Sequence, residues 1–324
     1  MKPNRMNVLA ASCLAIAANS TTALGQSYPV KPVRLVIGYP PGGGADISAR
    51  LLAPRLSTYL GQQVLVENKP GAGTNIANEM VARSAPDGYT LLMNSPTVAI
   101  NMSLYKQVNF DTLRDFAPVS VFAVTLNVMV TNASLPARNV AEFLALARSQ
   151  PGKLNFSSAG SGTTQHLAGE LLKTLGNVNM VHVPYKGGGP AMTALLAGEV
   201  QFSFANSLAI SPHVKSGRLR ALALTGVKRS DQMPDVPTMK EAGVNMVMDV
   251  WQGVLAPAGT PRAVVGRLSE LIARAGQDAE VKKRLTELGS EPVGNSPEEF
   301  AAMLRNEVST WAAVVKASGA TAEE

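Results

Sequence analysis

A recurring unit constrains the fold most: a short apolar run, then a glycine-rich turn, then an amphipathic stretch. In its first copy, apolar residues 33–37 precede the turn 40–44, and apolar residues at helical spacing follow as far as Leu60. The same order recurs around the turns 160–163 and 187–190. These patterns predict strand, turn and helix in succession. Strands that alternate with helices indicate an α/β fold with a mostly parallel sheet covered by helices.

Residues 1–25 have the parts of a secretory signal peptide. A cationic start is followed by an uncharged run over residues 6–18 and by a small-residue end at residues 23–25. A membrane anchor is the alternative, but a spanning helix needs about 20 apolar residues, and residues 19–22 are polar. We therefore predict export and cleavage after residue 25, with lipid attachment at Cys13 as an open variant.

Composition limits what the remaining chain can do. The only cysteine would leave with the signal peptide, so the mature chain would have neither a disulfide nor thiol chemistry. About 300 residues can bury a core without such links, and that length suggests two lobes. Loss of Lys2 and Arg5 lowers the 29 basic residues to 27 against 23 acidic ones, so the formal charge falls from +6 to +4. This surplus is spread along the chain and suits anions, whereas nucleic-acid binding needs clustered basic and stacking residues.

The glycine-rich turns are candidate anion sites. A helix start leaves backbone N–H groups unpaired and carries a partial positive charge, and glycine lets an anion approach those donors closely. Three such turns favour a binding crevice at the carboxyl ends of the strands, although each could be a tight turn without a ligand. Lys186 and Asn206 are further candidates, for which an exposed lysine and a turn-forming asparagine are the alternatives.

Motifs for nucleotides, metals and hydrolysis are missing from the sequence. It contains no G-x-x-x-x-G-K-[ST] and no G-x-S-x-G, and residues 160–165 end on glutamine where a dinucleotide fingerprint needs glycine. His166, His182 and His213 lack the spacing of a zinc site, so we predict no metal, no cofactor and no enzymatic activity. His166 follows Thr163 in the first turn of a predicted helix and could face the same anion, with a helix-surface role as the alternative.

Several segments, taken together, resemble one family. They include Tyr28-Pro29-x-Lys31-Pro32-Val33-Arg34-Leu35-Val36, Pro40-Pro41-Gly42-Gly43-x-x-Asp46, Val66-Glu67-Asn68-x-Pro70-Gly71-Ala72-Gly73, Ala85-Pro86-Asp87-Gly88-Tyr89-Thr90-Leu91, Pro184-Tyr185-Lys186-Gly187-Gly188, Asp235-Val236-Pro237-Thr238 and Leu255-Ala256-Pro257-Ala258-Gly259-Thr260-Pro261. In this order they resemble the Bug family, also called the tripartite tricarboxylate transporter receptor family. The resemblance covers essentially the whole mature chain.

The resemblance implies an α/β two-lobe periplasmic binding protein of type II, the Venus flytrap fold, with a mixed sheet flanked by helices in each lobe. Lobe 1 would combine residues 26–126 and 250–324, and lobe 2 would comprise residues 127–249. The lobes would close about strands near residues 119–130 and 219–251. It also implies a periplasmic location and a monomer.

The family's ligand contacts carry over to named positions. They are Pro41, Gly42, Gly43, Gly44, Ala45, Asp46, Ser95, Thr97, Ser161, Gly162, Thr163, His166, Tyr185, Gly187, Gly188 and Asn206. Members commonly have aspartate immediately before the position of Asn206, where this chain has Ala205. Loss of that carboxylate disfavours a ligand with an ammonium group.

The function implied by the resemblance is capture of a small carboxylate, either a di- or tricarboxylate or an aromatic acid. Delivery to membrane subunits of a tripartite tricarboxylate transporter would follow. Two alternatives remain: a ligand sensor that signals through the ectodomain of a membrane histidine kinase, and an enzyme acting on carboxylates.

Overall fold

The computed structural model describes residues 28–322, and the predicted signal peptide lies outside them. In this part of the chain the recurring unit forms as the sequence predicts, with a short strand leading into a turn and a helix in each of the three copies. The strands are β1 (Val33–Ile37), β2 (Val64–Asn68), β3 (Thr90–Asn94), β4 (Phe116–Asn132), β5 (Asn155–Ser158), β6 (Val181–Pro184), β7 (Phe202–Asn206), β8 (Leu219–Leu224), β9 (Asp249–Pro257) and β10 (Ser290–Pro292).

Helices follow most of these strands. They are α1 (Gly44–Leu60), α2 (Asn75–Ala82), α3 (Thr97–Leu104), α4 (Val140–Ser149), α5 (Thr164–Gly176), α6 (Gly188–Ala197), α7 (Ser207–Lys215), α8 (Arg262–Gln277), α9 (Ala279–Glu287) and α10 (Pro297–Ser318). Helices α8 to α10 close the described part of the chain. Within residues 28–322 we find no helix with the length and apolarity needed to cross a membrane.

The strands form one mixed sheet in the order β2-β1-β3-β9-β4-β7-β5-β6, with β8 and β10 also paired to β4. Strand β1 pairs in parallel with β2 and β3, and β5 pairs in parallel with β6 and β7. The central pairs are antiparallel. The prediction of a mostly parallel sheet is therefore wrong: β4 and β9 run against their neighbours where they join the two parallel groups. The mixed sheet implied by the resemblance is confirmed.

Strand β4 belongs to both halves of the sheet. Its first part lies between β9 and β10, with Leu126 opposite Asp249 at the last β9 pair. From Asn127 onward its neighbours are β7 and β8, and Asn127 lies opposite Asn206. A continuous strand thus changes partners between two consecutive residues and connects the two halves of the sheet there.

Four buried clusters pack the two halves, and the fourth contains Val128, Leu195 and Leu224. Leu35, Leu52 and Ile272 belong to a core beneath β1 and α1. A second core is built around Phe156 and Phe202, and it also contains Trp311 of α10. The third lies around Trp251, whose ring packs edge-to-face on Phe300 at 5.1 Å between centroids. Helix α10 therefore packs against residues from both predicted lobes, and the lobe boundaries given above stay a prediction.

Candidate functional site

Three helix starts meet at one small cavity. Gly43, Thr163 and Gly187 are the N-cap residues of α1, α5 and α6, and each belongs to one of the three glycine-rich turns. The cavity has a volume of about 50 Å³. Its lining comprises Tyr39, Gly43, Gly44, Ala45, Ser95, Asn127, Ala159, Thr163, Thr164, Gln165, Gly188, Asn206, Val250 and Gln252. The first N–H groups of each helix have no partner within the helix, so donors from three elements converge on this space.

The strands supply the floor of the cavity where β4 changes partners. Val250 and Gln252 lie two residues apart on β9, and successive side chains alternate across a strand, so both point to the same face. Asn127 of β4 and Asn206 of β7 are paired neighbours at that point. The Asn206 amide donates to Thr125 Oγ1 at 2.7 Å, and the Asn127 amide donates to Thr164 Oγ1 at 3.1 Å. The floor therefore lies at the junction of the two halves of the sheet.

The first glycine-rich turn is fixed by Asp46. Its carboxylate accepts hydrogen bonds from the Gly42 backbone N–H at 3.0 Å, from Arg50 Nε at 3.0 Å and from the Asn68 amide at 3.0 Å. Burial alone would raise the pKa of Asp46, but the hydrogen bonds from Arg50, Gly42 and Asn68 outweigh it and lower the pKa below its usual value. Asp46 is buried and occupied by these partners, so it shapes the turn beside the cavity.

Two histidines, His166 of α5 and His182 of β6, lie beside the second turn. Thr163 Oγ1 accepts from the His166 backbone N–H at 3.3 Å, which caps α5. His166 Nδ1 accepts from the Gly162 N–H at 3.2 Å, and the ring stacks on His182 at 4.0 Å between centroids. Burial lowers the pKa of His166 to about 4, with a smaller contribution from Lys173. The imidazole is therefore neutral at pH 7 and supports the turn without offering a positive charge.

Hydroxyl groups form a short chain at the third wall. The Tyr39 hydroxyl lies 2.7 Å from Thr97 Oγ1 and 3.2 Å from Ser95 Oγ, and Ser95 Oγ lies 3.1 Å from Thr97 Oγ1. Burial raises the pKa of Tyr39, so its hydroxyl stays protonated. Ser95 and Tyr39 line the cavity, while Thr97 holds them in position.

Residues of different turns approach one another closely across the cavity. A Cβ added to Gly44 would lie 2.8 Å from Cγ of Asn206. One added to Gly188 would lie 3.8 Å from Cα of Gly43, and one added to Gly187 would overlap Pro40. Gly187 has φ +118, a conformation that glycine adopts freely. Glycine at these positions lets residues from the two predicted lobes approach closely, and the structure has the cavity nearly closed.

The sequence predicted half of this lining. Of the predicted contacts, Gly43, Gly44, Ala45, Ser95, Thr163, Gly188 and Asn206 line the cavity. The others lie in the same turns or beside them, outside the lining set: Pro41, Gly42, Asp46, Thr97, Ser161, Gly162, His166, Tyr185 and Gly187. Lining residues that the sequence did not single out are Tyr39, Asn127, Ala159, Thr164, Gln165, Val250 and Gln252.

None of the residues that line the cavity carries a charged side chain, and Lys186 is not among them. An anion here would be held by backbone N–H groups, helix-start dipoles and neutral side chains. Ala205 lines an adjoining space of about 20 Å³ together with Leu195 and Met192. That space is mainly apolar. Within residues 28–322 no group of three histidine, cysteine, aspartate or glutamate side chains could hold a metal ion.

Larger cavities lie elsewhere. One of about 410 Å³ is lined by residues 226–232 and 289–292 together with Lys282 and Asp249. It is open and its charges are mixed. The small cavity is the better candidate because three helix starts and buried polar side chains converge on it, which is what fixes a small ligand.

Comparisons with known proteins point the same way. The sequence model of the family described as "Tripartite tricarboxylate transporter family receptor" matches residues 48–320. An adipate-bound protein of R. palustris is 35% identical with a TM-score of 0.88, and the similarity covers 91% of this chain and 100% of that one. The periplasmic binding protein BugD is 33% identical with a TM-score of 0.87, over 91% of this chain and 100% of BugD. MatC from Rhodopseudomonas palustris with bound malate is 31% identical with a TM-score of 0.85, over 89% and 100% of the two chains. These similarities confirm the periplasmic binding protein fold.

Proposed function

Because the chain belongs to the tripartite tricarboxylate transporter receptor family, we propose that it is an exported, non-catalytic binding protein that captures a small carboxylate. The convergence of the α1, α5 and α6 starts on one uncharged cavity carries this proposal. A carboxylate can accept hydrogen bonds from several N–H groups at once, and the helix dipoles favour its negative charge. The bound adipate and malate in two similar proteins support the choice of a carboxylate.

The connection through β4 allows the two lobes to close around the ligand. Lobe 1, residues 26–126 and 250–324, and lobe 2, residues 127–249, rotate towards each other about β4, where Leu126 and Asn127 have different partner strands. In the open form the helix starts of the two lobes separate and the ligand enters. In the closed form Gly43 and Gly188 approach, and the ligand is held between them. Hinge closure around a ligand is a common mode of capture.

Delivery to a membrane transporter is the role that suits the family. The closed monomer would be recognised in the periplasm by the membrane subunits of a tripartite tricarboxylate transporter. The seven predicted residues that line the cavity are the proposed ligand contacts, and the others support the turns from which those contacts project. No step of this cycle uses a nucleophile, a metal or a cofactor.

Calorimetry on the mature chain, residues 26–324, tests the proposal. Titration with aliphatic and aromatic mono-, di- and tricarboxylates and with inorganic phosphate should give a dissociation constant of about 10 μM or lower for at least one carboxylate, equivalent to about −7 kcal/mol. Phosphate should bind much more weakly. The bound acid should be recovered unchanged after prolonged incubation. Preference for phosphate, or chemical conversion of the acid, would overturn the proposal.

A further inference from the structure

Two buried amide oxygens in the cavity lining have no hydrogen-bond partner among residues 28–322: Asn127 Oδ1 and Gln252 Oε1. The Asn127 residue is 0% exposed and Gln252 is 2% exposed. A buried acceptor without a partner is unfavourable, and nearly all such groups in folded proteins are satisfied by protein, water or ligand. Both residues line the one cavity on which the helix starts converge.

The Asn127 amide nitrogen donates to Thr164 Oγ1 at 3.1 Å, and the oxygen of the same amide has no such partner. Gln252 lies on β9 beside Trp251, whose ring faces the opposite side and packs on Phe300. The side chains that carry these two acceptors line the same cavity as the three helix starts.

A ligand complementary to this cavity must both accept and donate. An ionised carboxylate only accepts, so a plain mono- or dicarboxylate satisfies the helix starts and leaves both amide oxygens unpaired. An ammonium group could donate to them, but its charge would be desolvated with no carboxylate in the lining to pair with it. A neutral hydroxyl donates without that cost.

We propose that the ligand is a small hydroxy acid, whose carboxylate binds at the helix starts while its hydroxyl donates to Gln252 Oε1 or Asn127 Oδ1. Two neighbouring hydroxyls satisfy both oxygens. This inference rests on the proposed carboxylate-binding function and narrows its substrate class. The size agrees with a small ligand, since the cavity has a volume of about 50 Å³.

Two matched series of acids test the proposal by calorimetry on the mature chain. Succinate, L-malate and L-tartrate have the same four carbons and carry none, one and two hydroxyls, and propionate and L-lactate form a shorter pair. At least one hydroxy acid should bind about tenfold or more tightly than its plain counterpart, which corresponds to about 1.4 kcal/mol. L-Aspartate should bind more weakly than L-malate.

A substitution at Gln252 tests whether this side chain causes the preference for the hydroxy acid. Gln252→Met keeps the size and shape of the side chain and removes the acceptor, so the preference for the hydroxy acid should shrink while binding of the plain acid persists. Gln107→Met, at an exposed glutamine, should leave the preference unchanged. Persistent binding of the plain acid also shows that the Gln252 variant is folded.

The outcomes separate the two proposals. If plain and hydroxy acids bind equally, or if Gln252→Met keeps the full preference, the hydroxy-acid inference is overturned while carboxylate binding stands. If other carboxylates bind but no hydroxy acid does, the inference is overturned in the same way. If no carboxylate binds at all, both proposals fail together.

Discussion

At Asp46 the chain uses a full negative charge to fix the turn beside the candidate site. The carboxylate holds the Gly42 N–H, Arg50 and Asn68, and these bonds fix the turn that leads into α1. The residues that line the cavity are neutral by contrast. The charge of Asp46 lies behind the turn, where Arg50 compensates it. The residues that line the cavity present only dipoles. This division keeps the cavity free of a fixed positive charge that would bind any anion.

The buried histidines make stability depend on pH. The folded-state pKa of His166 is about 4 and that of His182 is about 3, chiefly because of burial, whereas an unfolded histidine titrates near 6.5. The stability linked to the neutral rings is therefore complete above about pH 6.5 and is lost as pH falls through the folded-state values. His166 alone should lower the free energy of unfolding by about 2 kcal/mol between pH 7.5 and pH 4.5.

Urea denaturation at the two pH values measures this loss. His166→Gln should reduce the pH-dependent loss relative to the parent chain, because the substituted residue no longer titrates. His213→Gln is the control: His213 is only partly buried, and its removal should change the pH dependence less. An identical pH dependence in the parent and the His166 variant would contradict the assignment.

At the scale of elements, helix starts carry the site and could be predicted from the sequence. The glycine turns before α1, α5 and α6 are local signals, because turn glycines and the apolar spacing of a helix lie within about 20 residues. Ser95 and Asn206 were placed through the family resemblance and the strand that precedes each of them. Tyr39 and Gln165 lie within two residues of the predicted turns, so including the flanking residues of each turn would have identified them.

The strand floor could not be predicted in the same way. Asn127 and Gln252 are 125 positions apart in the sequence. They share the cavity only because β4 pairs antiparallel with β9 in a particular register, and a shift of one residue would turn each side chain to the other face. Register depends on packing between distant segments, which also explains why the antiparallel centre of the sheet was missed.

The start of α1 offers a matched pair of substitutions. Gly44→Ala should weaken binding of the captured acid by about tenfold or more, because the new Cβ would lie 2.8 Å from Asn206 Cγ in the closed form. Gly43→Ala should change it by only about twofold, since nothing lies within 4 Å of a Cβ there and its φ is −85. Calorimetry gives both affinities.

The ligand-free Gly44→Ala variant should unfold at or above the parental temperature, because alanine favours a helix over glycine and the open form has no clash. Gly43→Ala should unfold slightly below it, because alanine is a poorer N-cap than glycine. A thermal melt of each variant serves as the folding control. Equal loss of affinity in the two variants would show that Asn206 does not approach Gly44 in the bound state.

At the scale of the molecule, strand β4, the segment that leads from β8 into β9 and the long helix α10 join the two halves of the sheet. β4 changes partners at Leu126 and Asn127, and Trp311 of α10 enters the core around Phe156. No Gly/Ser-rich tether separates the halves. Motion between them must therefore be a bend at the strand junction, with small sliding of the packed helices.

Small-angle X-ray scattering should detect that bend. Saturating acid should reduce the radius of gyration towards about 19 Å, the value expected for a compact chain of this length. Gly44→Ala should show a smaller reduction at the same fractional saturation, since its closed form is obstructed. Identical scattering with and without the acid in the parent chain would contradict closure.

A ligand held mainly by main-chain N–H groups affects how such a gene can diverge after duplication. Most substitutions leave the backbone donors of the helix starts in place, so a copy keeps basic affinity for acids while its strand-borne residues vary. Substitutions at positions such as 127, 205 and 252 then change the ligand preference one step at a time, and no intermediate copy loses binding.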